Sequence, residues 1–97
     1  MDRKILRKAI DTYGTEAQMM QCIEEMAELI QAINKYFRAN TDEEMAKAYV
    51  SVIEEISDVQ IMLEQMRIVF GDKSVDEQIT AKLGRLEKKL KGGKTDD

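Results

Sequence analysis

The sequence predicts an all-α fold: a four-helix bundle-type chain with two long antiparallel core helices, assembling as a homo-oligomer. Three observations carry that reading. Proline is absent and only five glycines occur in 97 residues, which favours long uninterrupted helices. Apolar residues recur at spacings of three and four, and no segment alternates with period two for long enough to make a strand. Three capping-box matches, "TEAQ" (15–18), "TDEE" (41–44) and "SVDE" (74–77), each set a hydroxyl three residues before Glu or Gln.

These signals divide the chain in order. A short first helix over 2–13 stops at Gly14. The second, 15–39, opens on the Thr15–Gln18 box and ends at the Ala39-Asn40 pair. Its apolar stripe is Met19, Cys22, Ile23, Met26, Leu29, Ile30, Ile33 and Phe37. The third, 42–70, opens at Thr41 and stops at Gly71, with a stripe of Met45, Ala48, Tyr49, Val52, Ile53, Ile56, Val59, Leu63, Met66 and Phe70. The fourth, 75–91, starts at the Ser74 box and gives way to a polar tail, "GGKTDD". The expected organisation is one domain over 1–91 and a disordered tail over 92–97.

At ~1.5 Å per residue the third helix runs about 40 Å, beyond the width of a globule of this size. Part of its apolar surface then lacks cover from its own chain. Ile61, Met62, Ile68 and Val69 widen that surface at the far end, so a second copy is expected to pack there, giving a dimer or tetramer.

Composition excludes several chemistries. Histidine is missing, which removes His-activated nucleophiles and the Glu-x-x-His di-iron motif. With one cysteine and no histidine, a single chain cannot build a Cys/His zinc site. The lone Cys22 suits a reducing cytoplasm and reads as a small buried apolar residue. The charged N-terminus "MDRKILRKAI" does not read as a signal peptide, and no apolar run approaches the ~20 residues of a membrane span. A net charge of −4 and a pI near 4.9 argue against a nucleic-acid duplex as partner.

What remains are acids in a repeated pattern: "IEEMAELI" (23–30) and "IEEISDVQ" (53–60). Glu25 and Glu28 are three apart, hence neighbours on one helix face, and so are Glu55 and Asp58. At 100° per residue all four flank the apolar stripes, whereas Glu54 falls toward the polar side. If the two helices pack antiparallel through their apolar stripes, both pairs border one seam. Converging carboxylates repel unless a cation lies between them, and oxygen-only ligands suit Mg²⁺, with Mn²⁺ as a substitute.

Glu24-Glu25-x-x-Glu28, 26 intervening residues and Glu55-x-x-Asp58 resemble the EExxE…ExxD signature of the MazG-like all-α nucleoside triphosphate pyrophosphohydrolases, most closely the short phage-type members. The resemblance implies Mg²⁺-dependent hydrolysis of a nucleoside triphosphate to the monophosphate and pyrophosphate, in a homo-oligomer. By that pattern Glu25, Glu28, Glu55 and Asp58 are metal ligands, and Glu24, outside that quartet, is a catalytic candidate that either orients water or supports a ligand. Lys82 and Arg85 in "KLGRL" are similar to the family's Lys-x-x-Arg element and imply phosphate contacts. Full-length relatives carry an asparagine shortly before that lysine, where this chain reads Ile79-Thr80-Ala81. Gln18 and Gln21, on the same flank as the acids, are candidate base-binding amides, although Gln18 also serves the capping box. Two other readings stand beside this one: a non-catalytic helical interaction module, and a phosphoribosyl-nucleotide pyrophosphohydrolase with the same acidic logic.

Overall fold

The register of two long helices organises the molecule. The computed structural model describes residues 1–92 and, among them, contains four helices and no strand: α1 (Arg3–Tyr13), α2 (Thr15–Arg38), α3 (Asp42–Phe70) and α4 (Asp72–Gly92). The expected tail beyond Gly92 lies outside the described residues. None of these helices is long and apolar enough to cross a membrane.

Each boundary has a local cause. The Asp2 carboxylate accepts from the Lys4 N–H at 2.9 Å and opens α1. Gly14, at φ +95°, closes α1 by donating to the Ile10 carbonyl and opens α2 with its own carbonyl. Because Gly14 is the N-cap, the expected Thr15–Gln18 box does not form, and Gln18 turns to another use. The Thr41 box does form: its hydroxyl accepts from the Glu44 N–H at 3.1 Å, and the Glu44 carboxylate accepts from the Asn40 N–H at 2.9 Å. Gly71, at φ +107°, turns the chain in one residue. The fourth helix therefore starts at Asp72, three residues before the expected start at 75, and the Ser74 box goes unused.

α2 and α3 pack antiparallel along most of their length, α1 lies across both, and α4 packs along α3, joined to α1 only through the side chains of Arg3 and Asp72 among the described residues. The α2 row facing α3 is Gln18, Cys22, Glu25, Leu29 and Ala32. The α3 row facing α2 is Ala48, Val52, Glu55, Val59, Met62 and Gln65. Both step by four and three, the spacing of a coiled-coil seam.

This corrects the expectation that the broad apolar stripes face each other. Each helix is rotated by roughly 60–80° from that arrangement. Small residues at Cys22, Ala32 and Ala48 line the contact, and Ile23, Ile30, Phe37, Tyr49 and Ile53 are left exposed. The expected docking end is also mostly covered: Met62 is buried in the seam, and Ile68 and Val69 are half-buried.

An ionic knot fixes where α4 leaves the body. The Arg3 guanidinium donates to both Asp72 oxygens, at 2.5 and 2.8 Å, and to Glu64 at 2.7 Å. Arg67 donates to Asp72 at 3.0 Å and to Asp76 at 2.5 Å. The knot thus ties the first helix, the end of the third and the start of the fourth, and it sets anionic charge at the N-terminus of α4.

Hydrogen bonding from Arg3 holds the Asp72 carboxyl down to about 2, against an ordinary 3.8. A depressed acid stabilises the fold above its unfolded pKa, and that contribution disappears as pH falls through the folded value. Asp72→Asn is therefore predicted to lower Tm by a few degrees at neutral pH, a modest effect because the side chain is 43% exposed. In thermal melts the gap to wild type should close between pH 3.8 and about 2; a gap of unchanged size at pH 2 would contradict the assignment.

Candidate functional site: a carboxylate cluster in the helix seam

Two polar layers interrupt the apolar seam. At one end Gln18 Nε2 donates to Gln65 Oε1 at 2.7 Å; both residues are buried. The same antiparallel register brings Glu28 to the level of Glu55, and Glu25 lies one turn along on the facing row. Oxygens of Glu25, Glu28 and Glu55 lie within 4.8 Å of one another. Glu25 and Glu55 are half-buried and Glu28 is exposed.

The cluster is anchored on one side and unsatisfied on the other. Gln21 Nε2 donates to Glu25 Oε2 at 2.9 Å, one turn back on the same helix, and holds that carboxylate toward the seam. Glu25 Oε1 is fully buried and has no hydrogen-bond partner. Among the described residues, no lysine or arginine pairs with Glu25, Glu28 or Glu55. A buried anionic oxygen without a partner is costly, and like charges beside it add to the cost.

Proton affinities follow from this crowding. Glu28 is raised above its ordinary range chiefly by Glu25 beside it, against a smaller opposing contribution from Glu55. Glu55 is raised first by desolvation in the seam, then by Glu28 and by Asp58 one turn on.

A groove of about 390 Å³ opens over the cluster, lined by Glu28, Gln31, Ala32, Lys35, Ser51, Glu54 and Glu55. That volume is within the range of small-molecule sites. Lys35 is the cation on its rim. In the sequence it reads as a complement to the α2 dipole, and only the register that sets Ala32 against Ser51 brings it to the groove.

The other expected site residues divide. Glu24 is exposed beside the cluster, near enough for its charge to act on Glu28. Asp58 is exposed and lies outside the trio of converging oxygens, although it neighbours Glu55. Gln18 is 8% exposed and its amide is engaged by Gln65, so it faces the seam and not the groove. Gln21 is committed to Glu25. Lys82 and Arg85 are exposed on α4, which makes no contact with α2 and does not bring them to the cluster within one chain. Gln65 was legible only in retrospect, as a polar residue on the same seam row spacing as Gln18.

Comparison of the chain with family models, with curated proteins and with solved structures finds no match in any of the three.

A carboxyl raised on folding favours the folded state at low pH, and that advantage is lost as pH rises through the raised value. Without divalent cations, wild-type Tm should therefore decline as pH rises from mildly acid toward neutral. Glu55→Gln, which removes one of the clustered charges, should raise Tm at neutral pH by a few degrees and flatten that decline. A variant less stable than wild type at neutral pH would show that the cluster is not electrostatically strained.

Proposed function

We propose that the chain is a Mg²⁺-dependent nucleoside triphosphate pyrophosphohydrolase of the MazG-like kind, acting as a homo-oligomer in the cytoplasm. The observation that carries this reading is the convergence of Glu25, Glu28 and Glu55 from two antiparallel helices, with one buried oxygen unpartnered and, among the described residues, no side-chain cation paired to them. An all-carboxylate donor set fits a hard divalent ion, Mg²⁺ or Mn²⁺. Glu25, Glu28 and Glu55 would hold it, with Asp58 available from the next turn of α3.

When bound, such an ion supplies neutralisation of polyphosphate charge and a more acidic water. The chain's own residues then act around it. Gln21 fixes the Glu25 carboxylate, so the donor set is held in place before substrate arrives. Glu24, exposed beside Glu28, would orient a water and take its proton. Attack on phosphorus by that water breaks the bond to the bridging oxygen, and pyrophosphate leaves with the electron pair. Lys35 on the groove rim offers charge to the phosphates. Lys82 and Arg85 contact phosphate only where another copy brings its α4 to a groove. A second reading, a non-catalytic helical interaction module, draws on the large exposed apolar surface of α2 and α3.

A pyrophosphate-release screen across canonical, deoxy and damaged nucleoside triphosphates separates the two. Turnover is expected with Mg²⁺ or Mn²⁺ and not in chelator. Gln21→Ala should reduce it by roughly 10- to 100-fold, the range for residues that support metal ligands. Glu28→Gln should reduce it further while leaving the helical circular dichroism intact. Inertness toward every triphosphate with either metal present would favour the interaction module.

A further inference from the structure

The two sides of the α2–α3 pair are chemically opposite. Looking out from the seam, one side carries Glu24, Glu28, Glu54 and the groove. The other carries Ile23, Met26 and Ile30 of α2 beside Tyr49, Ile53 and Ile56 of α3, all six between 39% and 62% exposed. Counting at 100° per residue, this second set lies about 60–140° round from the seam row on both helices, the acids being on the reverse. Val75 and Ile79 of α4 line a cleft with Leu63, Met66 and Phe70 on the same side, and Leu83, Leu86 and Leu90, 49–76% exposed, continue along α4.

We propose that this apolar side is the interface between two copies of the chain, packed face to face, with each acidic groove turned outward to solvent. The inference rests on the homo-oligomer part of the function proposed above and specifies its surface. It differs from the sequence-based expectation, which set the second copy at the far end of α3.

The area of the whole chain calls for a permanent cover. The chain exposes 7635 Å², roughly 1,900 Å² more than the mass–surface relation gives for a compact chain of this mass. Its radius of gyration is 17.2 Å, against about 12.5 Å for a compact chain of this length. A permanent homodimer takes roughly 1,000 Å² or more from each copy, which this surplus supplies. The largest apolar patch on a typical monomer is only about 300–600 Å².

Stoichiometry and charge decide what the cover is. The chain's own buried apolar set is Leu6, Cys22, Ala32, Ala48, Val59 and Met62, several of them small. So thin a core needs completion whenever the chain is folded, and the component always present at matching amount is another copy. The chain carries −4, so association through the groove side would set carboxylates against carboxylates. From Met19 to Phe37 and from Met45 to Leu63 the apolar side presents no charged residue. Two copies meet there without repulsion, and the four long helices share one core.

Seven methionines serve as native probes. Light scattering after size exclusion should give at least twice the chain mass of 11.2 kDa. On that species, limited peroxide oxidation followed by peptide mass spectrometry should show Met26 and Met45 oxidised roughly tenfold or more slowly than Met20. In the isolated chain these three are 39%, 43% and 61% exposed, so an uncovered face would oxidise at similar rates. A folded species of 11.2 kDa overturns both the oligomer and its interface. An oligomer in which Met26 and Met45 oxidise as fast as Met20 overturns the interface alone and leaves the homo-oligomer standing.

Discussion

The antiparallel seam between α2 and α3 is the contact on which the rest of the structure depends, and its register is set by a polar pair. Gln18 and Gln65 are buried and bonded to each other at 2.7 Å. Sliding one helix along the other would leave both amides buried and unmatched, at roughly 1–3 kcal/mol for each unsatisfied group. An apolar seam of Ala, Val, Leu and Met tolerates several offsets; the glutamine layer favours one. The offset that joins Gln18 to Gln65 also joins Glu28 to Glu55, so a specificity device at one end of the seam assembles the carboxylates in its middle.

The cluster then opposes the fold that builds it. Desolvation and mutual repulsion raise Glu28 and Glu55, and Glu25 keeps a buried oxygen without a partner. No cation among the described residues relieves this, although lysines and arginines are numerous and Arg3 and Arg67 are deployed in a dense ionic knot at the root of α4. Residues that destabilise the free protein yet occupy a groove are where function is to be sought. A divalent cation is the simplest group that removes the repulsion and satisfies the orphaned oxygen together.

How much of this was legible in the sequence depends on the range of the interaction responsible. The helices and their stops rest on local chemistry, so Gly14, Thr41 and Gly71 read correctly. Two of the three capping boxes did not form, because a positive-φ glycine just before each helix supplied the turn first. The convergence of Glu25, Glu28 and Glu55 was readable because spacing of three along each helix combines with one antiparallel pairing. Asp58 belongs to the same pattern but stands a turn away on the outer side, a distinction that needs the actual register. The helix rotation was hidden for a different reason: periodicity marks which residues seek burial and not whether the cover is the same chain. Ile23, Ile30 and Ile53 were correctly marked as apolar and wrongly assigned to the internal seam. The position of Lys82 and Arg85 was likewise out of reach, since α4 is aimed by Arg3 and Arg67, contacts more than sixty residues apart in one case and across a turn in the other.

On the function proposed above, the helix register assembles a divalent-cation site from Glu25, Glu28 and Glu55. The most direct test is a Mn²⁺ titration followed by the electron paramagnetic resonance signal of the free ion. Saturable binding of at least one Mn²⁺ per chain is expected, lost in Glu25→Gln and retained in Glu43→Gln, an exposed glutamate elsewhere on α3. Absence of saturable binding, or binding indifferent to Glu25→Gln, would contradict it.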